Sequence, residues 1–433
     1  MRETVTGWGL YPSIKAIQYS PTSSDEVIDC IKSQKKLISR GFGRSYGDSA
    51  LFSTVLNSKH RDFILDFDTK EHLIKVCAGI SIAELLPILV SKGYFLPVVP
   101  GTKYITIGGA VACDIHGKNH HSEGTFTKHV KSLTLVDSDG KKITCSRDQN
   151  SQLFYATCGG MGLTGYIDEV VFDLKQIKSS KISMSSHKAK NLSELYDLFE
   201  RYKQSTYSVA WIDCLAKGKK MGRGVFMEGE HNKLSNDLSY HPKKKLIHMP
   251  MMPTWFLNTL FVKMFNFFYF HKQFPKIVYK EIDIDPFFFP LDAVSRWNRM
   301  YGKKGFTQYQ CVLPDPSREG MEIILKTISE SSMGSFLAVL KRFGPANKNF
   351  LSFPIEGYTL ALDFKLSDKV FALLKKLDEI TLQYNGRVYL TKDVRLSKED
   401  FEKMYLDGLK NFRRMRSTYG RKFHSIQSER LGL

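Results

Sequence analysis

The first segment of this sequence that could carry chemistry is the glycine-rich run RGFGRSYGD at residues 40–48. It follows an apolar pair at residues 37–38, which predicts a strand that ends where the run begins. Glycines at such a point let backbone N–H groups approach phosphate oxygens without interference from a Cβ atom. The spacing matches neither the Walker loop nor the GxGxxG dinucleotide fingerprint. Taken alone, the run would fit an ordinary tight turn equally well.

Two further glycine-rich segments follow: PGT at residues 100–102 with TIGGAVA at 106–112, and GGMGLTG at 159–165. Each alone fits close packing of a helix on a sheet. Three such segments in one part of the chain are more informative. One large ligand contacted along its length by backbone would explain all three, whereas independent turns would require three coincidences.

Three histidines stand close together in CDIHGKNHH, at residues 113–121. His120 and His121 are adjacent, so on a regular element their side chains would point apart. No cysteine or carboxylate stands at a zinc spacing from them, and we expect no metal site. His116, between an apolar run and a glycine, is the candidate for chemistry.

The elements that must position these segments alternate between strands and helices. A capping box of Ser23 and Glu26 begins the first helix, and a second helix runs over residues 81–93. Strands are predicted at 63–67 and 73–77, and Asp-Gly at 139–140 predicts a hairpin. After about residue 176 a polar, Ser/Lys-rich stretch could join two domains.

Length and composition agree with two packed domains and an anionic partner. The chain has 433 residues, 42% of them hydrophobic, with 63 Lys and Arg against 44 Asp and Glu, a formal charge of +19. Nucleic acid, an anionic membrane, a phosphorylated substrate or a merely basic soluble protein would all fit this charge. Seven scattered cysteines without a CxxC motif predict neither a disulfide framework nor a zinc site, and they indicate a reducing compartment. The first fifteen residues do not predict a secretory signal.

The aromatic stretch WFLNTLFVKMFNFFYF, residues 255–270, has two interpretations. Its sixteen residues fall short of the ~20 that span a bilayer. Lysines at 243–245 precede it, and His271 and Lys272 follow. A segment lying on a membrane surface would show this pattern. A buried helix or an active-site lid would show it as well, and the sequence leaves the choice open.

Taken together, these motifs resemble the FAD-binding domain of the vanillyl-alcohol oxidase and p-cresol methylhydroxylase superfamily. There, a loop of the RGxGxS kind holds the FAD pyrophosphate, and GG-A and GG-G segments line the rest of the cofactor. Motifs along nearly the whole chain resemble the decaprenylphosphoryl-β-D-ribose 2-oxidase family, with CDIHGKNHH and YLTKD the most specific. The resemblance implies an α+β fold. A two-part FAD-binding domain would comprise residues 1–177 and 386–433, around an antiparallel-sheet substrate-binding domain at 178–385.

The resemblance also implies how the cofactor is held. Many superfamily members have a histidine in the first loop that is linked covalently to the flavin; here Arg44 stands at that place, which implies non-covalent FAD. The implied FAD contacts are Arg40, Gly41, Gly43, Arg44, Ser45, Tyr46, Gly47, Thr102, Gly109, Cys113, His116, Gly117, Ile167 and Tyr389.

Catalytic and substrate residues follow from the same resemblance. Lys392, His116 and Tyr46 are the implied catalytic residues. A lysine whose pKa is lowered in a cleft can accept the proton of a sugar hydroxyl, or can orient that hydroxyl. Outside the YLTKD context a single lysine is usually a solvated surface charge. The implied substrate contacts are Lys118, Trp211, Gln308, Gln310 and Lys392.

One position departs from the mycobacterial relatives, which carry a cysteine in the substrate pocket where this chain has Ala361. The neighbouring Thr359 differs as well. We therefore expect no chemistry that needs that cysteine, and no attachment of thiol-directed covalent inhibitors at this position.

The implied reaction is oxidation of the ribose 2-hydroxyl of a polyprenyl-phosphoryl-β-D-ribose to the 2-keto sugar, the first half of epimerisation to an arabinose donor. A separate NAD(P)H-dependent keto-reductase and a quinone-type electron acceptor would complete the sequence. We expect peripheral attachment at the cytoplasmic face of the inner membrane, with the periplasmic side left open.

Two alternatives remain. An FAD-dependent oxidase of soluble aldonolactones or alditols would need no membrane. A basic nucleic-acid-binding protein would use the glycine-rich loops only as turns and would be colourless, but the sequence has no RNP, zinc-finger or helix-turn-helix signature.

Overall fold

The computed structural model describes residues 2–242, 247–253 and 256–433. The lysines at 243–245 and Trp255, which belong to the membrane-or-lid interpretation, lie outside the described residues. Strands and α-helices are numbered below in chain order.

The chain begins with a mixed four-stranded sheet of order β1-β2-β4-β3, in which β2 and β3 both run parallel to β4. Its strands are β1 (Arg2–Thr6), β2 (Ser13–Tyr19), β3 (Ile38–Arg40) and β4 (Thr54–Asn57), and α1 (Ser24–Ser33) connects β2 to β3. The Ser23 side chain caps α1 as predicted, but the Glu26 carboxylate accepts from the Thr22 N–H, so the capping box is only half formed. The first glycine-rich run begins as β3 ends.

A five-stranded antiparallel sheet of order β5-β6-β10-β8-β9 forms the second layer. Its strands are β5 (Ile64–Asp68), β6 (Leu73–Cys77), β8 (Val130–Val136), β9 (Lys142–Ser146) and β10 (Tyr166–Asp173); β7 (Tyr94–Phe95) pairs with β11 (Lys175–Gln176). The helices of this region are α2 (Ile82–Ser91), α3 (Ile107–Ala112), α4 (His120–Glu123), α5 (Ser151–Thr157) and a 3-10 turn at Phe126–His129. α3 opens at Thr106, so the second glycine-rich segment is a short helix.

The rest of the chain is organised around an eight-stranded antiparallel sheet of order β16-β12-β14-β13-β19-β20-β18-β21. Its strands are β12 (Lys181–Ala189), β13 (Tyr207–Ile212), β14 (Gly224–His231), β16 (Ile277–Asp283), β18 (Phe306–Pro314), β19 (Ala338–Phe343), β20 (Gly357–Lys365) and β21 (Arg387–Val388); β15 (Ile247–His248) and β17 (Val294–Ser295) form a separate parallel pair. Its helices are α6 (Leu192–Arg201), α7 (Thr259–His271), α8 (Ile284–Phe288), α9 (Arg318–Ser331) and α10 (Asp368–Gln383), with 3-10 turns at Gly218–Lys220, Pro290–Ala293, Trp297–Tyr301 and Asp315–Ser317.

One face of this sheet packs against α6, α9 and α10. Phe226 of β14 contacts Phe199 of α6, and the Tyr309 hydroxyl of β18 bonds to Thr381 of α10. Because strand side chains alternate between faces, the neighbouring residues of β13, β14, β18, β19 and β20 point the other way, toward the glycine-rich segments.

The C-terminal helices α11 (Lys398–Met404), α12 (Leu406–Tyr419) and α13 (Ile426–Leu431) return to the first half of the chain. The Leu37 N–H donates to the carbonyl of Lys422, and the His424 N–H donates back to Leu37. The α+β class predicted from the sequence is confirmed. The division of the chain at residues 177 and 385 stays a proposal; β21, just after the second boundary, still pairs with β18 of the large sheet.

Arg430 of α13 joins two buried carboxylates, Asp48 at the end of the first glycine-rich run and Asp393 beside Lys392, at 3.0 and 2.9 Å. We predict that Arg430→Met lowers the free energy of unfolding by about 3 kcal/mol, because it leaves buried charge without its partner. Urea denaturation measures the change. The matched control Arg413→Met breaks a partly exposed pair with Glu402 and should lower the free energy of unfolding far less. Equal losses in the two variants would contradict this.

Candidate active site

A cavity of about 600 Å³ lies where the glycine-rich segments face the large sheet. Its wall takes Gly43 from the first segment, Gly109 from the second, Gly162 from the third and Lys392 from the C-terminal stretch. Segments far apart in the sequence therefore meet at one site. All predicted site residues except Gly47 line this cavity: Arg40, Gly41, Gly43, Arg44, Ser45, Tyr46, Thr102, Gly109, Cys113, His116, Gly117, Lys118, Ile167, Trp211, Gln308, Gln310, Tyr389 and Lys392.

The three glycine-rich segments contact one another directly. A Cβ atom on Gly41 would lie 2.3 Å from the Thr106 hydroxyl, which caps α3, so the first two segments can approach only with glycine there. The Gly159 N–H donates to the Val111 carbonyl at 2.9 Å, joining the third segment to the second. Gly43 has a φ of 64°, a conformation that favours glycine.

Gly47 is the exception among the predicted site residues, because it lies behind the wall. A Cβ atom there would be 1.9 Å from the carbonyl oxygen of Asp393. The glycine thus lets the first run pack closely against the segment that carries Lys392, and the Tyr46 N–H donates to the Thr391 carbonyl beside it at 3.0 Å.

The cavity has both room and unpaired polar groups. Cβ atoms built on Gly101 and Gly162 would meet no atom of the described residues within 4 Å. Four buried side-chain atoms of wall residues have no hydrogen-bond partner in the described part of the chain: Ser39 Oγ, Arg44 Nε, His116 Nδ1 and the Tyr166 hydroxyl. Since buried polar groups are normally paired, this wall suits a large ligand with several polar atoms.

His116 is held neutral at the wall. The Gln310 side-chain amide donates to its Nε2 at 2.9 Å, and the rings of Phe343 and Tyr389 pack against it. Burial and the nearby charge of Lys341 lower the pKa of His116 well below its usual value. With Nε2 accepting, the ring hydrogen is on Nδ1, which is free to donate to a ligand.

Asp114, next to the wall, ties the His116 loop to the large sheet. Its fully buried carboxylate accepts from the Asn347 amide at 2.7 Å, the Asn349 amide at 2.8 Å and the Ser352 hydroxyl at 2.6 Å, and from Thr127. Asn347, Asn349 and Ser352 all belong to the segment that follows β19. The carboxylate therefore fixes the two walls of the cavity relative to each other.

Lys392 lies among groups from three parts of the chain. Its Nζ atom is 3.5 Å from the centre of the Tyr46 ring, a cation–π contact. Burial, with help from Lys341, lowers the pKa of Lys392 to about 7, although Asp363 opposes the shift. Asp363 accepts from the Gln308 amide at 2.5 Å and from the Tyr301 hydroxyl at 3.4 Å, and burial raises its pKa to about 7. Asp363 was not predicted from the sequence.

Lys341 is a second cavity residue that was not predicted from the sequence. It points into the cavity from β19, on the same face as Val339. Burial lowers the pKa of Lys341 to about 8, and that of Lys118 to about 7, where the Lys341 charge adds to the effect. Lys118, Lys341 and Lys392 are called the lysine cluster below. In the described part of the wall the carboxylates are Asp292 and Asp363. Asp292 accepts from the Thr102 hydroxyl and the Lys103 N–H. Five basic side chains, the lysine cluster with Arg40 and Arg44, face these two carboxylates, so basic groups are in excess in the described wall.

The aromatic stretch contributes directly to the cavity. Phe265 and Tyr269 of α7 line it beside Trp211, whose ring centre is 4.5 Å from that of Tyr269. Within the described ranges, no helix is long and apolar enough to cross a membrane.

Comparison with known proteins decides the family. An FAD-binding-domain family model matches residues 16–146. The decaprenylphosphoryl-β-D-ribose oxidase of Mycolicibacterium smegmatis is 33% identical over 417 residues, which cover 92% of this chain and 90% of that protein. The chain belongs to the decaprenylphosphoryl-β-D-ribose oxidase family.

Other relatives are more distant. An uncharacterized protein of Streptomyces coelicolor is 28% identical over 82% of this chain and 100% of its own length. The D-arabinono-1,4-lactone oxidase of Kluyveromyces lactis is 24% identical over only 37% of this chain and 32% of its own. Membership of the decaprenylphosphoryl-β-D-ribose oxidase family, with the FAD-binding domain, makes this chain an FAD-dependent oxidoreductase. The room beside Gly101 and Gly162 and the four unpaired polar atoms fit that cofactor.

We predict that Gly101→Val weakens FAD binding by about tenfold or more, because Gly101 lines the cavity and the added side chain would occupy open space beside this wall. Without FAD, the free energy of unfolding should change by less than about 0.5 kcal/mol, since a Cβ atom there meets no atom of the described residues within 4 Å. Titration of FAD-free protein with FAD, followed by flavin fluorescence, measures the affinity. Unchanged affinity would contradict the placement of FAD beside Gly101.

Proposed function

We propose that this protein oxidises the 2-hydroxyl of a polyprenyl-phosphoryl-β-D-ribose to the 2-keto sugar, the first half of epimerisation to an arabinose donor. The observation that carries the proposal is the lysine cluster, in which two further buried lysines, Lys118 and Lys341, line the same cavity as Lys392. The Mycolicibacterium smegmatis relative, a decaprenylphosphoryl-β-D-ribose oxidase, supports it.

The chemistry of the substrate explains why positive charge should stand so close to the reacting carbon. Its phosphate is attached to C1, the neighbour of the C2 carbon that is oxidised, so the phosphate must lie in the same part of the cavity as the reacting hydroxyl. Lys118 and Lys341 can bind the phosphate oxygens while Lys392 faces the hydroxyl. A neutral lactone or alditol would give this excess charge no partner.

The cofactor would occupy the opposite part of the wall. Arg40, Arg44 and the glycines of the first run would hold the diphosphate, and Cys113, Gly117 and Tyr389 would contact the rest of FAD. When bound, FAD supplies the acceptor for the hydride that leaves C2. Arg44 takes the place of a flavin-linking histidine and packs over the Trp8 ring at 4.0 Å, which supports non-covalent binding.

The protein's own groups handle the proton and the orientation. Neutral Lys392 accepts the hydroxyl proton through Nζ, and Asp363 shares the resulting charge. His116 donates from Nδ1 to an acceptor in the cavity. Gln308 and Gln310, both already bonded to these groups, keep Asp363 and His116 in place.

Further partners belong to the same proposal. A membrane quinone would reoxidise the flavin, and a separate NAD(P)H-dependent keto-reductase would consume the product. A lipid-linked substrate requires the protein to work at a membrane surface, which we place on the cytoplasmic side.

The test of this function is anaerobic bleaching of the flavin absorbance. A short-chain prenyl-phosphoryl ribose should bleach the purified holoprotein, and an aldonolactone should not. Bleaching by the lactone alone would overturn the proposal in favour of a lactone oxidase. A colourless protein that takes up no FAD would overturn both, and flavin that stays with the protein after acid precipitation would overturn non-covalent binding.

We predict a pH dependence that separates the roles of two lysines. Because neutral Lys392 is the proton acceptor, the limiting rate of flavin reduction should rise with pH through about 7 and level off above it. Lys392→Met should lower that rate by about 10²-fold or more.

Lys341→Met is the matched comparison. It should raise the substrate Kd by about tenfold and largely preserve the limiting rate. Since the Lys341 charge lowers the pKa of Lys392, its removal should also move the pH profile upward. Stopped-flow reduction over a pH series measures both. A flat wild-type profile, or equal rate losses in the two variants, would contradict these roles.

A further inference from the structure

Helix α7 has two different apolar faces. Its inner face carries Val262, Phe265, Asn266 and Tyr269, which are buried or line the cavity wall. Its outer face carries Leu260, Met264, Phe267 and Phe268, which are exposed to solvent. The spacing of three and four residues places each set on one side of the helix. One helix thus separates the cavity from solvent with apolar side chains on both sides.

The outer face is held in this exposed position by a buried polar anchor. The Asn266 amide donates to Asp213 at 2.8 Å, and the same carboxylate accepts from the Arg223 guanidinium at 3.0 and 2.8 Å. With that side of α7 fixed, Leu260 stays 75% exposed and Phe268 63% exposed, and Phe274 just beyond the helix is 91% exposed. Large apolar side chains clustered in this way mark a binding surface rather than ordinary surface composition.

The Asp, Glu, Lys and Arg residues of the chain segment that carries this face are all lysines. The stretch from residue 238 to residue 280 contains seven lysines and no Asp or Glu. Among its described lysines, Lys263, Lys272, Lys276 and Lys280 are exposed around α7 and the strand that follows. Cationic groups surrounding an apolar helix face complement an anionic lipid surface, where the lysines meet headgroups and the apolar side chains enter the acyl boundary.

We propose that the outer face of α7, extended by Phe274, docks on an anionic bilayer. The proposal rests on the lipid-linked substrate of the proposed function. The polyprenyl chain then leaves the bilayer along α7 and continues past Phe265 and Tyr269, so the ribose phosphate reaches the lysine cluster while its lipid remains in an apolar environment. The helix is at once the membrane contact and the wall of the cavity.

The experiment uses FAD-loaded full-length protein and vesicles of phosphatidylcholine and phosphatidylglycerol in equal parts, with pure phosphatidylcholine for comparison. The face variant replaces Leu260, Phe267 and Phe268 by Ser. The matched control replaces Phe63 and Leu406, which are 52% and 70% exposed elsewhere on the surface, by Ser. Wild type and control should sediment with the anionic vesicles. The affinity of the face variant for these vesicles should be lower by about tenfold or more. Added salt should weaken vesicle binding by the wild type.

Turnover separates this proposal from the proposed function. The face variant should reduce its flavin normally with a short-chain prenyl-phosphoryl ribose in solution, and should lose turnover with long-chain substrate embedded in vesicles. Equal vesicle binding by the face variant and wild type would overturn membrane docking, as would a wild-type dimer in sedimentation velocity that the face variant dissociates. Vesicle binding without flavin reduction by the soluble substrate would overturn the proposed function and leave the docking surface in place.

Discussion

The whole site depends on close backbone contact between three glycine-rich segments. Gly41 lets the first segment touch the cap of α3, and the bond from Gly159 to Val111 brings in the third. A side chain at Gly41 would force the first two segments apart, and the φ of 80° at Gly159 favours glycine there as well. Gly47 extends the same constraint to the C-terminal stretch, because it admits the backbone beside Lys392. The missing Cβ atoms of Gly41 and Gly47 therefore let three distant parts of the chain approach one another, and the Gly159 hydrogen bond adds the fourth.

The other wall depends on the way side chains alternate between the two faces of the large sheet. In strands β13, β18, β19 and β20 every second side chain points toward the cavity. The pairing register of the strands fixes where along the cavity each polar or charged group lies. Gln310 stands opposite Ala361, and Lys341 opposite Thr359. Strand register brings Lys341 and Asp363 to the cavity, whereas glycines shape the opposite wall.

These two kinds of wall explain which parts could be predicted from the sequence. The glycine-rich segments, His116 and Lys392 stand in recognisable motifs, and the structure brings them to one cavity. Lys341 and Asp363 stand in ordinary strands, and only the pairing of those strands shows that they face the site. Gly47 matched the motif, yet its contact is with Asp393. The aromatic stretch left two interpretations open because α7 is buried on one side and exposed on the other.

The Asp114 carboxylate gives the cofactor a role in folding. Its donors belong to the segment after β19 and to the turn before β8, so it bridges the two walls between which the flavin would lie. A ligand that binds between these two walls stabilises the folded protein by mass action. Free FAD at a hundred times its dissociation constant would add about 2.7 kcal/mol to the folded state. The amount of folded protein in a cell should therefore follow its flavin supply, even before any sugar is oxidised.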